Sequence, residues 1–220
     1  MKDNVMLEMY ERNDMELIDA HIVKYFGNYT NVFHEIASPD IHVDICIIPP
    51  HDDQDYYTLV TMGMGAHRMN VPEELAEYHL ERAELLIALP PDWKLNQESM
   101  QDEQWYWPIR LLKSTARLPG ECDTWLGWGH TVATNEGETY AENTDLCGVL
   151  LLDQLSGNED ACTCRLSDGE DVNFYQLIPL YRDEMNYKCE KDADALLDLF
   201  EGMSFVVDPN RPNVLERMED

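Results

Sequence analysis

Positive charge is scarce in this sequence. Fifteen Lys and Arg stand against 44 Asp and Glu in 220 residues, a formal net charge of −29. A surface of that sign repels phosphate backbones and anionic lipid at long range, so neither nucleic acid nor membrane is an expected partner. It draws basic partners instead, with fast, salt-sensitive association. Also missing is any Cys-x-x-Cys pair. The six cysteines, at 46, 122, 147, 162, 164 and 189, offer no zinc-ribbon spacing, and Cys162-Thr-Cys164 reads as an incidental pair on an acidic loop. No run reaches the roughly 18 apolar residues that cross a bilayer. The opening stretch MKDNVMLEMYERNDMEL lacks the apolar segment of a secretory signal. A reduced, cytoplasmic protein is the expectation.

Catalytic signatures are equally sparse. There is no Gly-Lys-Ser or Gly-Lys-Thr for a P-loop, no serine in Gly-x-Ser-x-Gly, and no His-Glu-x-x-His helix. Gly63-Met64-Gly65 follows a strand-like run, but Arg68 stands where a dinucleotide fingerprint needs its third glycine, and Val71-Pro72 interrupts the following helix. Gly63 and Gly65 are therefore read as residues of a turn that needs positive φ at one or two positions. The run His51-Asp52-Asp53-Gln54-Asp55 could meet a hard cation. Counted from Asp53, though, the glycine and glutamate of a calcium loop are replaced by Thr58 and Met64, which favours a solvated acidic turn. His67 and His130 follow glycine-containing turns, where an imidazole can act as acid or base or can bond its own loop. No cofactor or metal site is expected.

What is present is a foldable pattern. Hydrophobic residues make up 44% of the chain and include five tryptophans, enough for one large domain, placed at 1–207, with a flexible acidic tail at 208–220. Asn13 or Asp14 can cap a first helix carrying Leu17, Ile18, Ile22 and Tyr25, with Gly27 beyond its end. NVFHEIA and IHVDICII read as strands, the second with Ile41, Val43, Ile45 and Ile47 on one buried face. YYTLVTMG and RAELLIALP follow as strands, the latter with Leu85, Ile87 and Leu89 on one side, although a helix also fits residues 73–88. WPIRLLKSTARLPG predicts a helix with Pro108 in its first turn, Ile109, Leu112 and Ala116 inward, and Pro119-Gly120 closing it. WLGWGHTVA, LCGVLLLD and VNFYQLIPLY are three further strands, with an Asp168-Gly169 turn before the last. A helical region spans 182–202, with Leu196, Leu197 and Phe200 inward. Strands joined by short links, without regular strand–helix alternation, define an α+β class: a mixed, largely antiparallel sheet packed against helices.

Trp105, Tyr106 and Trp107, with Trp125 and Trp128, are candidates for either core or interface, since Trp and Tyr bury much area with few rotors. The partner-contact candidates are Tyr57, His67, Arg68, Trp105, Trp128 and His130.

Several segments in order resemble the suppressor-of-fused domain family, above all its short bacterial members. They are YYTLVTMGM with Met69 and Pro72, RAELLIALPPDW, WPIRLLKSTARLP, WLGWGHTV, and VNFYQLIPLYRDEM followed by ADALLDLF, covering residues from about 30 to 202. The resemblance implies a non-enzymatic α+β protein-binding domain. The family's animal namesake clasps a short peptide of a transcription factor as an added strand, using a second lobe for which this chain has no room. No clamp residue is carried over to a position here. Bacterial members are proposed to be immunity proteins, and an acidic immunity protein would suit a basic toxin. Two other readings remain open. One is a hydrolase or metal-dependent enzyme using His67 or His130 beside carboxylates; the other is an acidic mimic of nucleic acid.

Overall fold

The computed structural model describes residues 7–35, 38, 40–52, 54–153 and 158–218. Its elements run α1 (Arg12–Tyr25), β1 (Asn31–Phe33), β2 (Asp44–Ile48), β3 (Tyr57–Met62), β4 (Ala83–Leu89), α2 (Glu103–Cys122), β5 (Thr131–Ala133), β6 (Gly148–Asp153), β7 (Thr163–Arg165), β8 (Asp171–Leu180), α3 (Arg182–Glu190) and α4 (Ala193–Leu199). The eight strands form one sheet in the order β1-β2-β3-β4-β8-β6-β5, with β7 pairing β8 beside that path. Among the strands of the described residues only β4 and β8 run parallel, with Ala83 opposite Asn173 and Leu85 opposite Tyr175. The other pairings are antiparallel. The α+β class and its mixed, largely antiparallel sheet stand as read from the sequence.

Helices cover both faces of the sheet. On one face α2 lays Trp107, Ile109, Leu112 and Ala116 over Ile45, Leu59, Leu85, Ile87 and Leu177. On the other, α1 sets Ile18 and Ile22 against Cys46, Val60, Leu86 and Phe174, while α3 and α4 bring Met185, Leu196 and Phe200 onto Leu150, Leu152 and Ile178. Burying a Leu- or Ile-sized side chain contributes roughly 1.5–3 kcal/mol, so both faces are committed to packing. This corrects the one-face reading of β2, all five residues of which are buried. Cys46 and Ile48, expected outside or unassigned, lie under α1.

Element boundaries moved where proline and cysteine misled. Helix α2 starts at Glu103 rather than near Pro108, because the Asp102 carboxylate accepts the Gln104 N–H and caps the helix. It also passes through Pro119-Gly120 and ends at Cys122, capped by Asp123, which takes the left-handed conformation at φ 48°. Residues 73–78 form a 3-10 turn, not a helix running to 88. Of WLGWGHTVA, only its last three residues are strand. Cys164, placed on a loop by its composition, lies in β7 and is buried beneath α1, where burial pushes its thiol up to about 11. The Asp168-Gly169 turn joins β7 to β8, with Gly169 at φ +89°.

The end of the chain, for which a loose tail over 208–220 is the sequence expectation, contributes buried side chains. Arg211 and Val214 are both buried, and Val207 donates its N–H to the Ala88 carbonyl. An ion pair adds a buried anchor: Arg211 reaches the fully buried Glu184 at the start of α3, with 2.7 Å between Nη1 and Oε1. The Val214 N–H also donates to that carboxylate.

Candidate functional site

The glycine turn after β3 binds an anion supplied by the chain itself. Glu84, on β4, has no exposed surface. Its Oε1 accepts the N–H groups of Gly63 at 2.9 Å and Gly65 at 3.1 Å and the Tyr10 hydroxyl at 2.8 Å. Its Oε2 accepts from Thr61 at 2.5 Å and from the Met64 N–H at 3.3 Å. Burial pushes the Glu84 carboxyl up, opposed by the hydrogen bonds from Thr61, Gly63, Tyr10 and Gly65. The Tyr10 phenol is raised too, by burial and by the neighbouring carboxylate. Glycine is required on both sides of this nest. Gly63 sits at φ +131°, and a Cβ there would lie 1.9 Å from the His42 carbonyl oxygen; one on Gly65 would meet the Tyr10 hydroxyl at 2.1 Å. Gly63 has positive φ and Gly65 does not, so at Gly65 the close approach of the Tyr10 hydroxyl, not the backbone angle, favours glycine, and the turn completes an internal carboxylate site.

The partner-contact candidates fall into three places. His67 and Arg68 border the glycine turn. His67 Nδ1 lies 3.0 Å from Glu8, and Arg68 pairs with Glu81 at 3.2 Å and with Glu170. Glu170 also accepts from Arg82, which in turn donates to the Gly65 and Ala66 carbonyls. Tyr57 and Trp105 belong to the opposite end of α2. Tyr57 and Trp93 wall a groove of about 430 Å³ beside β1. The Trp93 ring meets Trp105 edge-on at 5.4 Å, and its indole N–H donates to the Trp105 carbonyl. Gly120 faces His67 near the far end of α2, so Trp105 and His67 are about 22 Å apart along the helix at 1.5 Å per residue. Trp128 and His130 form the third place, just before β5. Trp128 is 44% exposed, while His130 packs on the Trp125 ring at 4.2 Å. Burial lowers the His130 pKa, helped by the charge of Lys188.

Trp107 and Trp93 are core residues, Trp107 stacking flat on Tyr140 at 5.0 Å. Among the described residues no group of three or more His, Cys, Asp or Glu side chains is placed to share a metal ion. Asp53 of the acidic run lies outside the described residues, whereas His51 and Gln54 bridge each other across a tight turn. No helix among the described residues is long and apolar enough to cross a membrane.

Sequence reasoning missed Glu84 and Thr115. Thr115, on α2, is 1% exposed and its hydroxyl has no hydrogen-bond partner among the described residues. It lines a groove of about 290 Å³ between α2 and the edge strand β5. The helical stripe Ile109-Leu112-Ala116 was legible, and Thr115, three residues beyond Leu112 on that face, was the signal available.

A sheet covered by helices on both faces, with a buried carboxylate under its glycine turn and charged residues gathered at its rim, defines a two-layer-covered α+β domain. The sequence profile of the suppressor of fused protein (SUFU) matches residues 39–212, and the chain belongs to that family. Uncharacterised protein UU111 of Ureaplasma parvum is 25% identical over 211 residues, covering 94% of this chain and 98% of that protein. Solved structures share the fold, three of them as follows. A SUFU homologue from Neisseria gonorrhoeae superposes with a TM-score of 0.62 at 18% identity, covering 93% of this chain and 98% of that one. A Sufu–Fu complex gives 0.66 at 14% identity, with 96% of each chain covered. Drosophila Suppressor of Fused gives 0.64 at 15% identity; 96% of this chain matches 54% of that one.

Proposed function

We propose that this chain is a non-enzymatic protein-binding module of suppressor-of-fused type, acting as a bacterial immunity protein that neutralises a basic toxin through its acidic surface. The observation that carries this reading is how the few cations are spent. Arg12, Arg68, Arg82, Arg110, Lys113, Arg117, Arg165 and Arg211 pair with carboxylates of the same chain. Burial works against the Glu35 carboxylate, yet Ser38, the Val43 N–H, Arg117 and Lys113 together hold its carboxyl below the ordinary range. With more than half of the 15 basic side chains paired to carboxylates of the same chain, several of them at the surface, most of the 44 acids have no basic partner to neutralise them. Such a field speeds capture of a basic protein and weakens as salt rises.

The Sufu–Fu complex is an assembly of that family member with a protein, which supports protein binding as the class of activity. Toxin neutralisation is tested by affinity capture from the native cell at low and at high salt, followed by co-expression. The expected result is a basic protein retained at low salt, released at high salt, and toxic only when this chain is absent. Recovery of no basic partner at low salt, or a partner whose toxicity this chain does not alter, would overturn the reading.

A further inference from the structure

Three adjoining grooves surround the segment 134–145. One of about 630 Å³ lies between the start of α2 and residues 139–143, with Asp102, Glu103 and Glu142 on its walls. It meets the groove between α2 and β5 at Tyr140, and that groove is rimmed by Glu121 and Glu138. From Glu138 a third, about 790 Å³, continues past Glu136 and Asp145 toward α3. The cations that line them are already engaged. Arg110 holds Glu103 and donates to the Tyr140 carbonyl at 2.7 Å, and Arg182 is turned to Thr134 and the Asn135 carbonyl.

Acidity alone would not mark a site, but the middle groove has an unsatisfied polar floor. A threonine within a helix commonly bonds back to its own preceding turn; the Thr115 hydroxyl does not, and it is buried without a partner. A buried hydroxyl left unpaired costs about 1–3 kcal/mol, and a ligand group reaching it would remove that cost. The walls on either side of it are apolar, from Leu111, Leu118 and Val132.

We propose that the three grooves form one acidic belt receiving an extended, basic segment of a protein partner. One Lys or Arg side chain enters between α2 and β5. Its methylenes lie along Leu111, Leu118 and Val132, and its head donates to the Thr115 oxygen and to Glu121 or Glu138 at the rim. A long cationic side chain matches apolar walls and an acceptor-rich end together, and the carboxylates of Glu121 and Glu138 at the rim favour a charged head. This inference rests on the protein-binding reading above and assigns it a place.

The test uses a fluorescein-labelled hexa-arginine peptide and the full chain, with anisotropy read at low salt. Substituting Glu121→Gln, Glu138→Gln and Glu142→Gln together should weaken binding about tenfold or more. The same change of charge at Glu73, Glu74 and Glu77, on the exposed 3-10 turn, should weaken it no more than about twofold. Thr115→Val should lose about threefold in affinity with unfolding unchanged or raised, and Thr115→Ser should bind as the parent does. Equal losses from the two triple variants would overturn the belt and leave the protein-binding reading standing, as would a captured partner whose affinity the belt variant leaves unchanged. Thr115→Val binding as tightly as the parent would remove the hydroxyl from the site.

Discussion

A carboxylate with no exposed surface, facing three backbone N–H groups and two hydroxyls, leaves little freedom at any of the positions that build it. Glu84→Gln keeps the shape but turns an NH2 toward those donors, which should cost about 3 kcal/mol. Gly63→Ala should cost at least as much, because the new Cβ would meet the His42 carbonyl at 1.9 Å in a backbone conformation that already favours glycine. Gly169→Ala is the fitting control. Gly169 also has positive φ, but nothing lies within 4 Å of its Cβ position, so only the backbone penalty of about 1–2 kcal/mol applies. Urea unfolding of the three variants should therefore place Gly169→Ala closest to the parent; a common midpoint for all three would show that the nest adds nothing. The glycines were legible in the sequence as a turn, and Glu84 was not. Its neighbours Leu85, Ile87 and Leu89 put it on the apparently outer side of a strand. Only the arrival of Tyr10 and α1 from far along the chain turns that side into an interior.

Elements were legible where one face alternates or repeats, and misjudged where long-range packing sets the limits. Helix α2 declared itself through Ile109, Leu112 and Ala116, yet its start depended on the Asp102 cap rather than on Pro108. Strand β7 is three residues long, too short for periodicity to show, and exists because it pairs β8. The terminal segment lacks an apolar pattern, and a buried arginine anchors it alongside the Val214 side chain and the Val207 N–H. Arg211 lies over the Tyr181 and Phe200 rings at 4.9 Å each and neutralises Glu184. Removing one partner of such a buried pair costs about 3–5 kcal/mol, so Arg211→Met should lower the thermal midpoint strongly. Adding Glu184→Gln to it should cost less than the two single losses summed, since the stranded charge is then gone. Strict additivity in that cycle would mean that the terminal segment is held by its apolar contacts and not by the pair.

At the scale of the molecule, composition carried two messages that separate under salt. The α+β class followed from short-linked strands and few helices, and it holds because helices cover both faces of one sheet. The net charge of −29 said nothing about the fold, but it sets how the folded chain responds to ions. Self-repulsion among unpaired surface carboxylates destabilises the compact state, while the Glu184–Arg211 pair is shielded from solvent and little affected by screening. Raising ionic strength from about 10 mM to about 150 mM shortens the Debye length from about 30 Å to about 8 Å. The thermal midpoint should then rise by a few degrees, on the order of 1 kcal/mol for a chain of this size, as capture of a basic partner weakens. Stability and binding thus move in opposite directions under one variable. A midpoint that falls over this range would mean that internal ion pairs outweigh the repulsion among the surface carboxylates.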